Sequence, residues 1–275
     1  MTRPSEGAAT LLAPAKVNLA LHVTGRRADG RHDLDGLVAF ADIGDRLTVG
    51  PGDGLTVTGP FAAGVPTGDA NLIRRALAAA GLRRAVHLDK RLPHPAGLGG
   101  GTSDAAVVLR AVGADLPASA LMALGADLPV CMGARTARMR GAGERVDPVA
   151  LPPLLAVLVN PGVAVPTGRV FAALRDPCNP PMPDPPPLAD AGAAVAWLAG
   201  LRNDLEAPAR GIAPAIGEAL AAIAATGAGV ARMTGSGATC FGLYGTPAAA
   251  GRAAAALARP GWWVAACTLG DSYGV

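Results

Sequence analysis

The stretch Pro93-His94-Pro95-Ala96-Gly97-Leu98-Gly99-Gly100-Gly101-Thr102-Ser103-Asp104-Ala105-Ala106 can do chemistry because of what it lacks. Four glycines in five residues leave backbone N–H groups bare, and helical periodicity (Ala105, Val108, Leu109, Val112) begins directly after them. Bare N–H groups at the positive end of a helix suit a phosphate. Thr102 or Ser103 is expected to cap that helix, with Asp104 in its first turn. A second signal is compositional. The chain has 24 basic residues, and only Lys16 and Lys90 are lysine. A lysine kept against an arginine background is a candidate for work that needs a compact ammonium, although chance placement is the simpler reading for Lys90. Asp127 lies between apolar neighbours just before Pro129. A lone aspartate there is ordinarily a capping residue, and nothing local makes it catalytic.

The elements that must hold the glycine stretch are legible. Val86, Leu88 and Leu92 share one face of a period-two run that Pro93 stops, so a strand precedes the loop and a helix follows it. A flexible linker needs neither. Other glycine loops fit poorly. No lysine follows in the Gly-x-x-x-x-Gly-Lys-Ser/Thr pattern, Thr102 takes the last place of Gly-x-Gly-x-x-Gly, and a protein-kinase glycine loop joins two strands. Val17, Leu19, Leu21 and Val23 predict an earlier strand with one buried face, carrying Asn18 and Ala20 on the other. A turn follows at Gly25–Gly30, then strand-like runs at 34–40 and 45–49, a hairpin at Asp53-Gly54, and a helix over 71–80. Composition shifts near Pro152-Pro153, and the length permits one large domain or two ordinary ones, 1–152 and 153–275 if the chain divides there. The second half reads strand (154–159), helices (to about 225), strand (230–233), strand (240–244), helix (247–258), strand (262–269), the order of a split β-α-β sandwich. Residues 177–187 are proline-rich and read as an exposed loop.

Composition narrows the function. Net charge is only +3 with 3% aromatic residues, which argues against a nucleic-acid partner. The uncharged run 148–168 is interrupted by Pro152, Pro153, Pro161 and Pro166 and reads as a buried strand with turns, not a membrane span. Met1–Glu6 has no apolar signal core, and Cys131, Cys178, Cys240 and Cys267 show no paired spacing. A cytoplasmic protein with structural thiols, without membrane partners and with no histidine metal site is expected.

Taken with Pro14-Ala15-Lys16-Val17-Asn18-Leu19 and Met233-Thr234-Gly235-Ser236-Gly237-Ala238-Thr239, the loop resembles the GHMP small-molecule kinases over nearly the whole chain. Gly25-Arg26-Arg27-Ala28-Asp29-Gly30-Arg31-His32 is similar to one branch, which acts on a cytidyl substrate. The resemblance implies an α+β fold of two domains, the first like ribosomal protein S5 domain 2 and the second ferredoxin-like. It implies ATP-dependent phosphorylation of the 2-hydroxyl of 4-diphosphocytidyl-2-C-methyl-D-erythritol in the non-mevalonate isoprenoid route, with Mg²⁺ expected and its ligands undefined. By the same resemblance Lys16 and Asp127 form the catalytic pair. Pro93, His94, Pro95, Ala96, Gly97, Leu98, Gly99, Gly100, Gly101, Thr102 and Ser103 wrap the ATP phosphates, and Asn71, Leu72 and Lys90 lie near the adenine. Asn18, Arg31, His32, Phe171, Gly235, Ser236, Gly237 and Thr239 meet the substrate. The branch has tyrosine where Arg31 stands and serine where Thr102 stands, so Arg31 and Phe171 are expected to sandwich the cytosine. Two rival readings are another GHMP kinase and a nucleotide-binding sensor on the same fold. A sensor would be expected to have lost Lys16 or Asp127, and this chain has both.

Overall fold

The computed structural model describes residues 9–271; the N-terminal Met1–Glu6 lies outside them. The order is β1 (Leu11–Arg26), β2 (His32–Gly50), β3 (Gly54–Thr58), α1 (Leu72–Ala79), β4 (Ala85–Asp89), α2 (Gly100–Ala111), α3 (Ala118–Leu124), α4 (Leu128–Gly133), β5 (Ala137–Gly141) and β6 (Arg145–Pro148). Then come β7 (Leu154–Asn160), α5 (Thr167–Ala172), α6 (Ala191–Ala199), α7 (Glu206–Ile212), α8 (Ala215–Ala225), β8 (Val230–Met233), β9 (Cys240–Tyr244), α9 (Pro247–Leu257) and β10 (Trp263–Gly270). β10, β7, β9 and β8 pair antiparallel in that spatial order, which is the expected split β-α-β sandwich. β10 also reaches β2 through Leu269 and Gly270, so one sheet of ten strands runs through both halves.

Several local expectations are corrected by tertiary context. The runs at 34–40 and 45–49 are one strand, β2, which its long partner β1 pairs on both sides of an irregularity at Ala41–Ile43. Asp53-Gly54 makes no hairpin: β3 pairs parallel with β4, and the chain crosses over through α1. β1 is buried on both faces, because Lys16, Asn18, Ala20 and His22 are as enclosed as Val17, Leu19 and Val23. The helical stretch before Ala225 is two helices with Pro214 between them, since proline supplies no N–H. α6 begins at Asp190, whose carboxylate accepts from Ala193 N–H; that cap was legible and went unread.

The proline-rich segment has no regular structure, but it is tied down. Met182 is buried, its N–H donates to Asp35, and its carbonyl accepts from Arg138, which also forms a bidentate pair with Asp35. Asn179 N–H donates to Val23 O, and Arg202 donates to Pro180 O. The segment therefore acts as a strap across β1. Among the described residues no helix is long and apolar enough to cross a membrane; the apolar run near 154 is the buried strand β7.

His22 sits under this strap, 1% exposed, with neither ring nitrogen partnered among the described residues. Burial, then the nearby Arg202, pushes its pKa down. Below about pH 6.5 the unfolded chain takes up a proton that folded His22 resists, so folding stability falls as pH drops. Urea denaturation at pH 7.5 and 5.5 checks this. The wild type is expected to lose more stability between them than His22→Leu, and equal losses would exonerate His22.

Candidate active site

β1 brings the first two functional side chains together. Lys16 and Asn18 are two residues apart on a strand and so share a face. Register shifts between Pro14 and Lys16 and between Asn18 and Ala20 bracket the pair, as bulges do where a side chain must be re-aimed. Lys16 Nζ donates to Asn18 Oδ1 at 2.8 Å and to Asp127 Oδ2 at 2.9 Å. Lys16 is 3% exposed, while the Asp127 side chain retains 30% exposure and faces the cavity described below. Asp127 does occupy the N-cap position of α4, but its side chain makes no capping bond. The carboxylate is turned instead to an ammonium from the other end of the half. Asn18 Nδ2 is buried and has no partner among the described residues, which leaves it free to donate to a bound hydroxyl.

The glycine stretch arches over this pair. α2 starts at Gly100, two or three residues before the expected caps, with Gly99 as N-cap at φ 62° and no side-chain cap. Thr102 and Ser103 are therefore inside the first turn, and Asp104 moves into the second. A glycine in the left-handed region replaces the Ser/Thr cap, and it leaves the helix N–H groups uncovered. Gly97 also has positive φ, and a Cβ there would lie 2.6 Å from Thr234 O. That close approach is how the second glycine-containing turn, 234–239, meets the first. Thr239 N–H donates to Ala96 O, and Thr234 Oγ1 accepts from Asn18 N–H. Asn203 donates to the carbonyls of Met233 and Gly235 and fixes that turn from behind.

A cavity of about 950 Å³ runs from these two turns to the tip of the β1–β2 hairpin. Lys16, Asn18 and Asp127 line it together with Gly97, Gly99 and Thr102, and Gly235, Ser236 and Gly237 face them. At its far end His32 stacks on Phe171, with ring centroids 4.8 Å apart and planes 24° apart. Burial, then Arg26, pushes the His32 pKa down and keeps the ring neutral near pH 7. A neutral imidazole has one donor and one acceptor nitrogen. Arg31 is at the mouth, 3.9 Å from Asp29.

A model of the GHMP kinase N-terminal domain matches residues 67–137, and one of the GHMP kinase C terminus matches residues 188–261. The chain is 56% identical to a 4-diphosphocytidyl-2-C-methyl-D-erythritol kinase of Dinoroseobacter shibae, over 98% of this chain and 100% of that one. It is 52% identical to the enzyme of that name from Paracoccus denitrificans, over 94% and 95%. The chain belongs to the 4-diphosphocytidyl-2-C-methyl-D-erythritol kinase family. A crystal structure of 4-(cytidine 5'-diphospho)-2C-methyl-D-erythritol kinase superposes with a TM-score of 0.79 at 40% identity, over 96% of this chain and all of that one. A homoserine kinase from Cytophaga hutchinsonii, at 16% identity and TM-score 0.65, shares the fold alone. The expected α+β GHMP kinase fold and kinase activity both stand, and the family implies ATP as phosphoryl donor.

Not every expected ligand of this kinase faces the cavity. Lys90 is 3% exposed, and its ammonium is held by Asp45 at 2.5 Å and Asp104 at 3.0 Å. It cannot touch an adenine without abandoning both. Thr239 is fully buried and accepts from Asn160 Nδ2, so it braces the turn from inside. Asn71 caps α1 by accepting from Ile73 N–H, and its amide donates to Pro66 O. Pro93, Ala96 and Leu98 are buried supports of the loop, while His94 is exposed and bonds the Phe61 carbonyl. Arg175 and Thr167, whose hydroxyl lies 2.8 Å from that of Ser236, also line the cavity. They are single polar residues without motif spacing, and only the fold collects them; Arg26 lines it too, from within the Gly25–His32 stretch.

Proposed function

We propose that this kinase transfers the γ-phosphoryl group of ATP to the 2-hydroxyl of 4-diphosphocytidyl-2-C-methyl-D-erythritol, in the cytoplasm and in isoprenoid precursor synthesis. One observation carries the reading: the Lys16–Asp127 pair, 2.9 Å apart, in a cavity with a bare helix N-terminus on one side and an aromatic stack at the far end. Residues 1–152 supply the ATP side, and 153–275 close the substrate cleft. Backbone N–H groups between Gly97 and Thr102 hold the phosphates, with Asn71 and Leu72 toward the adenine. Asn18 Nδ2 orients the acceptor hydroxyl. The hydroxyl oxygen attacks the γ-phosphorus, its proton passes to Asp127, and the bond to the ADP oxygen breaks. Lys16 offsets the charge that builds on the transferring group. Gly235, Ser236 and Gly237 seat the substrate from the opposite wall.

Among the described residues no three acidic, histidine or cysteine groups gather as a protein cage for a metal. The hydroxyls of Thr102 and Ser103 and the ATP phosphates form an oxygen donor set that suits Mg²⁺, an ion commonly held largely by nucleotide phosphates. When bound, it would neutralise phosphate charge.

At the far end, neutral His32 reads the edge of the cytosine, and Phe171 with Arg31 closes on its faces. Base–aromatic stacking is worth about 1–3 kcal/mol. Phe171→Ala is therefore expected to raise KM for the cytidyl substrate roughly tenfold or more. Arg31→Ala should raise it less, and KM for ATP should hold in both. Unchanged KM values for the cytidyl substrate in steady-state kinetics would move the base elsewhere. The whole reading is tested by coupled ADP release with Mg-ATP and the cytidyl substrate, with homoserine and mevalonate as parallel acceptors. Turnover with the cytidyl substrate alone is expected. Turnover with another acceptor would indicate a different GHMP kinase, and ATP binding without turnover would indicate a sensor.

A further inference from the structure

The two lysines of the chain press on consecutive glycines from different sides. A Cβ on Gly99 would lie 3.2 Å from Lys16 Cβ, and one on Gly100 would lie 2.9 Å from Lys90 Nζ. Lys16 belongs to the reaction site, whereas Lys90 is sealed below the loop. Its carboxylate partners tie together the two ends of the glycine stretch. Asp45, on β2 and fully buried, accepts from Lys90 with one oxygen. With the other it accepts from the backbone N–H groups of Arg91 at 2.6 Å and Leu92 at 2.8 Å, the residues that lead into the loop. Asp104, on the second turn of α2, accepts from the same ammonium at 3.0 Å. The cluster thus bridges β2, the loop entry and the helix whose N-terminus closes the loop.

We infer that Asp45, Lys90 and Asp104 are positioning residues for the phosphate loop, setting the distance and angle between its entry and the start of α2 without touching the nucleotide. The inference rests on the reading that 97–103 holds the ATP phosphates. Three features support it. A bare N–H cradle has no side chains to adjust its own shape, so its donors converge only if both flanks are fixed. A compact ammonium fits against Gly100, and a planar guanidinium does not. Burial pushes the Asp104 carboxyl well above its ordinary value despite the neighbouring ammonium, as expected of a cluster sealed from solvent beneath the loop.

The test separates nucleotide phosphates from nucleoside. For Lys90→Met, KM for ATP and Kd for ADP are expected to rise roughly tenfold or more, in line with the penalty for misplaced contacts. The Kd for adenosine and KM for the cytidyl substrate should stay within about twofold, and Lys90→Arg should not rescue. Because Lys90→Met strands two buried carboxyls, the triple variant Asp45→Asn, Lys90→Met, Asp104→Leu is measured beside it. Replacing a buried ionic cluster as a unit commonly preserves the fold. Lower Tm with unchanged ADP affinity in both would reduce the cluster to a structural staple and overturn the inference. Equal loss of adenosine and ADP affinity would overturn it in favour of direct base contact. Thr102→Glu, which sets a carboxylate on the cavity side of the loop, tests the underlying reading separately. If ADP still binds Thr102→Glu normally, the phosphates do not lie at this loop and the inference falls with that reading.

Discussion

Asp127→Asn is expected to lower kcat by roughly 10²–10⁴-fold, the usual weight of a positioned general base. The variant keeps the shape of the site, because the asparagine oxygen can still accept from Lys16 Nζ where the carboxylate now does at 2.9 Å. It removes only the capacity to take a proton from the acceptor hydroxyl. Lys16 is left with a neutral partner, but Asn18 Oδ1 still accepts from it at 2.8 Å, so the ammonium is not stranded. Both KM values should move little, since ground-state contacts are untouched. ADP release under saturating ATP and cytidyl substrate reads the effect directly. Near-normal kcat would mean that another group accepts the proton, and among the described residues no other carboxylate lines the cavity.

The legibility of this site in sequence depended on how local each signal was. The glycine stretch was readable because it is self-contained: its strand, its helix and the reason for glycine all lie between Ala85 and Ala111. Its cap was misread because Thr102 and Ser103 look like caps, whereas Gly99 in the left-handed region performs that turn. Asp127 was opaque because its local context is that of a capping residue, and it does sit at a helix N-cap. What distinguishes it is an ammonium 111 residues away, visible only through family resemblance or the fold. Both lysines prove to be buried in ion pairs, Lys16 with Asp127 and Lys90 with Asp45 and Asp104, which puts Lys90 beneath the loop and not beside an adenine. The Asp53-Gly54 hairpin failed for a similar reason: the turn signal is local, but the pairing of β3 with β4 is decided by a helix crossover.

The strap explains a further part of the geometry. Phe171 lies in the six-residue helix α5, which alone has little reason to hold one orientation. The chain leaving it is fastened through Asn179 and Met182 to β1, β2 and β5, and through Pro180 to Arg202 ahead of α7. His32 starts β2, and Asp35, three residues on, anchors the strap. The two rings that stack at the far end of the cavity are therefore held by one connected set of bonds. Bonds within that set support the end of the cavity remote from Lys16 and Asp127.

Lys16→Met is expected to lower kcat by roughly 10²–10³-fold, the scale found when one donor to developing charge is removed from a water-poor site. The methionine fills the channel beside Gly99, so packing is retained while the ammonium is lost. The loss is of a different kind from that in Asp127→Asn. Without Lys16, Asp127 remains a carboxylate with partial exposure to solvent, and it can still accept a proton. What disappears is the cation that offsets charge on the transferring phosphoryl group. Lys16→Arg should fail to restore the rate, because Gly99 approaches the lysine methylenes within 3.2–3.3 Å and leaves no width for a guanidinium. The two single variants share one ion pair, so the double variant should be far less than additive. A Lys16→Met, Asp127→Asn double variant whose kcat falls by the full product of the single losses would mean that the two residues act independently. The 2.9 Å contact would then be a structural bond and not the working pair of the site.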